Sequence, residues 1–237
     1  MARSRLTGHP DYEGVSSEHT LTGWSGQVNC CDVHIPNGNP QVFALNWMGE
    51  LFNPAVSFDH IDKMFTKMML RRQHTFLLLT KVPERLHEYM RRLDPVPSAV
   101  EHIWFGVSAS TQREWNRNVK RLLKVPAVTH RWVSLEPMIE PVKILDLHRN
   151  LMEACREVRQ GRYIDWVAMG AESGPNARPM KLSWAVQVIE DSAAVGMKVF
   201  YKQGPDEHGA TFTKAPEVLR RSWLDVPFCQ QQRGEMK

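Results

Sequence analysis

Thr75-Phe76-Leu77-Leu78-Leu79-Thr80-Lys81-Val82-Pro83-Glu84-Arg85 is an apolar run that turns directly into a charged segment led by proline. A short apolar run flanked by threonines fits a strand buried on both faces, as strands of parallel sheets are. Proline is tolerated in the first turn of a helix, and Leu86, Tyr89 and Met90 follow Pro83 at helical spacing. A helix over Pro83 to Arg92 is therefore predicted, and strand followed by helix is half of a βαβ unit.

The same texture extends in both directions. Apolar runs at Val42 to Leu45, Thr75 to Thr80, Ile103 to Ser108, Arg131 to Leu135, Asp165 to Met169 and Lys198 to Tyr201 recur about every 30 residues, the length of one such unit. Helical faces lie between them. Phe58 to Arg71 presents Ile61, Met64, Phe65, Met68 and Met69, a methionine-rich stripe that reads as core filling. Thr111 to Leu123 presents Trp115, Val119 and Leu122, and Ser183 to Val195 presents Trp184, Val188 and Ile189 before Gly196, a helix stop. The organisation predicted is a mostly irregular segment over 1–41, a (β/α) repeat domain over 42–203, and a tail over 204–237 that leaves the sheet at Gly204-Pro205 and packs on it.

Composition agrees and excludes several classes. A chain of 237 residues suits one α/β domain, and 42% hydrophobic residues suffice for a core, which rules out a disordered tail. Thirty basic against 26 acidic residues leave +4, too little to imply nucleic acid or membrane by charge alone. Cys30, Cys31, Cys155 and Cys229 have neither the number of a secreted framework nor the close spacing of zinc or iron–sulfur ligands, so they read as free thiols. No apolar stretch approaches the ~18 residues of a membrane span. Met1-Ala2-Arg3-Ser4-Arg5 leads into Gly8-His9-Pro10-Asp11 rather than an apolar signal region, so the expected location is the cytoplasm.

In parallel α/β folds ligands gather at the carboxyl ends of the strands. Those ends are polar here: Asn46 and Glu50, Thr80 and Lys81, Ser108 and Gln112, Ser134 and Glu136, Gly170, Glu172, Ser173 and Gly174 with Arg178 beyond, and Lys202. Each residue taken singly could be a helix cap or a rim ion pair, whereas the set together reads as a ligand site. Glu136 and Glu172 follow neighbouring strands at equivalent positions, where two carboxylates can share a ligand or work as acid and base. The Gly170-Ala171-Glu172-Ser173-Gly174-Pro175 turn offers backbone N–H groups to an anion, or serves as a structural turn. The pairs Arg71-Arg72, Arg91-Arg92, Lys120-Arg121 and Arg220-Arg221 read as solvated helix faces, with contact to nucleic acid as the rival reading. His74, His102 and His130 precede strands at the opposite rim, without metal-ligand spacing, and no metal site is predicted.

Phe43-Ala44-Leu45-Asn46-Trp47-Met48-Gly49-Glu50-Leu51-Phe52, HTFLLLTKVPER over His74 to Arg85, WFGVS over Trp104 to Ser108, Ser134-Leu135-Glu136-Pro137, GAESGPNARP over Gly170 to Pro179 and Phe200-Tyr201-Lys202-Gln203 together resemble one family. It is that of the phage-associated three-cysteine-motif proteins, a domain of unknown function similar to radical S-adenosylmethionine (SAM) enzymes. The resemblance, over about residues 1–228, implies a partial (β/α) TIM-like barrel of the radical-SAM type. It implies SAM as cofactor, and in full-length relatives a [4Fe–4S] cluster held by three cysteines, ending Cys-x-x-Cys-Tyr-Ala, after the first strand. Those cysteines and that strand are absent from this sequence, which reads as one beginning late, without cluster ligands. By the resemblance Met48-Gly49-Glu50 stands where the methionine amino group is gripped. Ser108 stands near the ribose, Glu136 near further ligand contacts, and Gly170 to Gly174 near the adenine or carboxylate.

The leading expectation is a radical-SAM-like protein from a phage or prophage-type gene, of unknown substrate and without cluster-dependent activity in this form. One rival is a cluster-free hydrolase or transferase with Glu136 and Glu172 as acid and base and Lys202 as electrostatic clamp. The other is a non-enzymatic barrel binding nucleic acid or a protein through its arginine pairs. A missing first strand also leaves the Val42 to Leu45 edge open to self-association.

Overall fold

The computed structural model describes residues 35, 37–46, 49–93, 100–126, 128, 130–154, 158, 163–172, 177–205 and 211–212. Strands and helices alternate: β1 (Val42–Leu45), α1 (Phe58–Met69), β2 (Thr75–Thr80), α2 (Pro83–Arg92), β3 (Ile103–Ser108), α3 (Gln112–Leu123), β4 (His130–Leu135), α4 (Ile144–Ala154), β5 (Trp166–Gly170), α5 (Leu182–Ala194), β6 (Lys198–Pro205) and β7 (Thr211–Phe212). The sheet keeps the strands in chain order, β1 to β7. β1 pairs parallel with β2, β4 with β5 and β5 with β6, while β7 closes antiparallel on β6. Strand order that never reverses, with a helix in each crossover, is the topology of a partial (β/α) barrel; a doubly wound sheet would reverse at a switch point. No helix among the described residues is long and apolar enough to cross a membrane.

The chain divides into two compact units, residues 1–106 with 124–130, and residues 107–123 with 131–237. In the first, α1 begins at Ser57, whose hydroxyl accepts the His60 N–H at 3.3 Å, and it buries Ile61, Met64, Phe65 and Met68 as the spacing predicts. Pro83 opens α2, which buries Leu86, Tyr89 and Met90. The Tyr89 ring packs on Phe65 with centroids 4.7 Å apart, and its hydroxyl donates to Asp62 at 2.8 Å. At the amino ends of the strands the histidines are structural. His74 Nδ1 accepts the Gln41 N–H at 3.1 Å, His102 Nε2 lies 2.8 Å from the Met68 carbonyl, and His130 stacks on Trp104 at 4.4 Å.

In the second unit Trp115, Val119 and Leu122 of α3 are buried, and Trp132 meets Trp166 across β4 and β5 at 5.2 Å. Burial of each such aromatic or aliphatic side chain stabilises by about 1.5–3 kcal/mol. Gly196 ends α5 with φ +73°, the left-handed conformation that glycine adopts without strain.

Several expectations need correction. α4 was not anticipated from the sequence at all. His130 is the first residue of β4 rather than a residue before it. β6 continues through Gly204 to Pro205 and pairs with β7, so the chain does not leave the sheet at Gly204-Pro205. On α5, Val188 is buried but Trp184 and Ile189 only partly, while the polar Asp191 and Ser192 go inside. The reason is a cap: Asp191 Oδ2 accepts the N–H groups of Ile144 (2.8 Å) and Leu145 (3.3 Å), donors at the start of α4 that have no partner within the helix. The 1–34 part of the N-terminal segment and the tail beyond Phe212 lie outside the described residues, and so do all four cysteines.

Candidate functional site

In the first unit the strand-end cluster centres on Glu50. Its Oε1 accepts the Phe52 N–H at 3.0 Å and the Thr80 hydroxyl at 2.7 Å, and its Oε2 accepts the Lys81 N–H at 2.6 Å. Thr80 Oγ1 in turn accepts the Val82 N–H at 2.9 Å, just ahead of Pro83. Burial pushes the Glu50 carboxyl up, against the lowering effect of these donors. The arrangement fastens the loop after β1 to the end of β2. Three internal donors take up most of the acceptor capacity of the Glu50 carboxylate. The Lys81 side chain is exposed. Asn46, at the end of β1, adopts φ 63° and keeps its Nδ2 buried without a partner among the described residues. Trp47 and Met48 lie outside the described residues.

The second unit gathers the remaining candidates. Glu136 follows β4, joined to Pro137 by a cis peptide bond, and its Oε2 receives the Lys202 ammonium from β6 at 2.9 Å. Glu136 is 13% exposed and Lys202 40%. Glu136 Oε1 is closed off from solvent and has no partner among the described residues. Burial raises the Glu136 carboxyl, and the charge and hydrogen bond of Lys202 lower it, with burial prevailing. Glu172, after β5, does not stand free for acid–base work. Arg178 gives it a backbone N–H at 3.0 Å and guanidinium bonds of 2.7 and 3.2 Å, which hold the carboxyl below its ordinary range. The two carboxylates expected to act together are thus each engaged by a cation of their own.

Gly170 is closely packed: a Cβ there would lie 3.2 Å from the Gln203 carbonyl oxygen and 3.3 Å from its Cγ, so Gln203 would have to give way slightly where β5 and β6 change register. Its carbonyl accepts the Met138 N–H at 2.9 Å, and Gln203 closes the join by accepting from the Ala171 N–H and donating to the Ala171 carbonyl, both at 2.8 Å. Ser134 is buried, and its carbonyl accepts the Ala109 N–H. The Ser108 carbonyl accepts Asn118 Nδ2 at 2.7 Å. Gln112 is absorbed by loop closure. Its Oε1 accepts the Lys143 N–H at 2.6 Å, its Nε2 donates to Asn116 at 2.9 Å, and its own N–H goes to Glu140 at 2.7 Å. Ser173 and Gly174 lie outside the described residues.

Sequence reasoning missed Glu140, Asn116 and Asp191. Only the Thr111…Glu114 spacing carried a signal, that of a capping box. Thr111 Oγ1 accepts the Glu114 N–H at 3.1 Å, and Glu114 Oε2 the Ser110 N–H at 2.7 Å. Among the described residues no group of three His, Cys, Asp or Glu side chains is placed to hold a metal ion. Of the arginine pairs, Arg71 bonds the Ile35 and Leu70 carbonyls, while Arg92 stacks over the Phe58 ring at 4.4 Å.

Strand order and polar strand ends define a protein of the partial (β/α) barrel class. Residues 17–227 match the model of a family described as a protein of unknown function (DUF5131), and the chain belongs to that family. No curated protein and no solved structure matches the chain.

Proposed function

We propose that this chain is a radical-SAM-like barrel protein of the phage or prophage type that binds SAM, and a substrate still to be identified, at the carboxyl ends of β4 to β6. The observation that carries this reading is the Lys202–Glu136 pair, a half-exposed ammonium on a buried carboxylate at the mouth of the strands. An amino-acid end group brings a carboxylate for Lys202, and strand ends are where such folds bind ligands. The ordered strand-end motifs support the same reading. Lys202 and Arg178 are the cations that would hold the ligand, with Glu136 behind Lys202.

The sequence offers no set of three cysteines spaced to ligate a cluster, so this chain's residues do not fit a [4Fe–4S] centre. No reductive step is assigned to it. A second reading, an acid–base hydrolase or transferase, is favoured by one observation, the raised carboxyl of Glu136 beside a cation.

Isothermal titration of the purified chain with SAM is the test. Micromolar binding that weakens at least tenfold, about 1.4 kcal/mol, in Lys202→Met supports the reading. Absence of binding, or binding indifferent to Lys202→Met, refutes it.

A further inference from the structure

Glu136 differs from Glu50 and Glu172 in how little holds it. Glu50 accepts three internal donors and Glu172 three from Arg178. Glu136 has Lys202 on Oε2 at 2.9 Å, and its enclosed Oε1 has no partner among the described residues. The pair is also lopsided. The Glu136 side chain is 13% exposed and the Lys202 side chain 40%, so Lys202 is the more open of the two to a solute. A buried carboxylate deprived of its one cation neutralises by taking a proton rather than remaining charged.

We infer that Lys202 and Glu136 form a proton-coupled anion latch: an anionic group on a ligand draws the Lys202 ammonium away, and Glu136, left inside without a counter-charge, takes up one proton. The inference rests on the proposed site for the ligand's position, not for its identity. No covalent bond changes. One anion joins Lys202 and one proton from solvent joins Glu136, so anion and proton enter together and the site's net charge is unchanged. A carboxylate and a phosphate meet the same requirement.

The surroundings fit. Of the other carboxylates that follow strands of this unit, Glu172 is occupied by Arg178 from the segment after β5, and Glu140 accepts from Gln112 at the start of α3. Lys202 from β6 is the charge that lowers the Glu136 carboxyl, and burial alone is left once it withdraws. Affinity for an anion should therefore strengthen as pH falls, by up to tenfold per pH unit between the carboxyl's paired and unpaired ranges.

The first measurement needs no ligand. Infrared difference spectra of Lys202→Met, against Lys202→Met with Glu136→Gln, should show a protonated-carboxyl band at neutral pH that wild type lacks. If Lys202→Met fails to fold at pH 8, its urea midpoint should recover at pH 5, because a raised folded-state value confers stability below the unfolded value and loses it as pH rises. An ionised Glu136 in a folded Lys202→Met overturns the latch. The second measurement titrates wild type with SAM and, separately, with inorganic phosphate, in buffers of differing ionisation heat. One proton taken up per molecule bound, abolished in Glu136→Gln while binding persists, supports the latch and shows which anion it takes. SAM binding without proton uptake overturns the latch and leaves the SAM reading standing. Phosphate binding with proton uptake but no SAM binding does the reverse, and failure of both probes to bind overturns the latch.

Discussion

Glu50 illustrates how a side chain chosen for its place in a motif can owe that place to the fold. Glu50→Ala leaves the Phe52 N–H and the Thr80 hydroxyl without an acceptor in a buried setting, while water can reach the Lys81 N–H. Each orphaned buried donor costs about 1–3 kcal/mol, so for the two a loss of about 2–6 kcal/mol is expected. A urea midpoint shifted by less than about 0.5 kcal/mol would show that Glu50 is not the fastening between β1 and β2. Arg178 gives a smaller effect of known sign. Its hydrogen bonds hold Glu172 below the unfolded carboxyl value, so the pair stabilises above that value and loses its contribution as pH falls through the folded one. Arg178 is 55% exposed, so Arg178→Ala should cost at most about 1 kcal/mol at pH 7 and progressively less as pH is lowered, measured as urea unfolding at a series of pH values. The chemistry of these residues was legible in the sequence but their partners were not. That Glu136 meets Lys202, 66 positions on, follows from β4 and β6 flanking β5, which no local pattern encodes.

Among elements, legibility followed the strength of the local pattern. β2 and α2 appear over the residues read from the sequence, because an uninterrupted apolar run and a proline-led helix are local signals. α4 escaped because its start is set by a residue far along the chain. Ile144 and Leu145 are capped by Asp191 of α5, and Gln187 Nε2 steadies that carboxylate at 2.7 Å. The same contact explains why α5 carries a carboxylate on its buried face, where the spacing from Val188 calls for an apolar residue. Asp191→Ala removes a buried cap and leaves two helix-end donors unpaired, so a destabilisation of about 2 kcal/mol is expected, at the upper end for caps. Asp191→Asn keeps one acceptor oxygen and should recover about half. Amide exchange read along α4 checks the mechanism: protection at Ile144 and Leu145 should fall in Asp191→Ala while that in β2 is unchanged.

At the scale of the whole molecule, β1 is a terminal strand of the sheet among the described residues. Among the described residues it pairs with β2 alone, Val42 is 40% exposed, and Phe43 and Leu45 are only partly covered. The Gln41 carbonyl accepts from Thr75, so by the alternation of a strand the Phe43 and Leu45 backbone groups face β2 while those of Val42 and Ala44 face outward. Outward N–H and C=O groups on an apolar strand are a template for a second strand, whether from another chain or from this one. Light scattering behind size exclusion should show the molar mass rising above 27.3 kDa as concentration increases. Ala44→Pro deletes an outward N–H without touching the ladder to β2, and Val42→Lys puts a charge on the edge; either should hold the chain at monomer mass. A wild type that stays at 27.3 kDa throughout the concentration series would mean that the edge is already covered. Should association occur and survive both substitutions, it runs through another surface, and the β1 edge is not its cause.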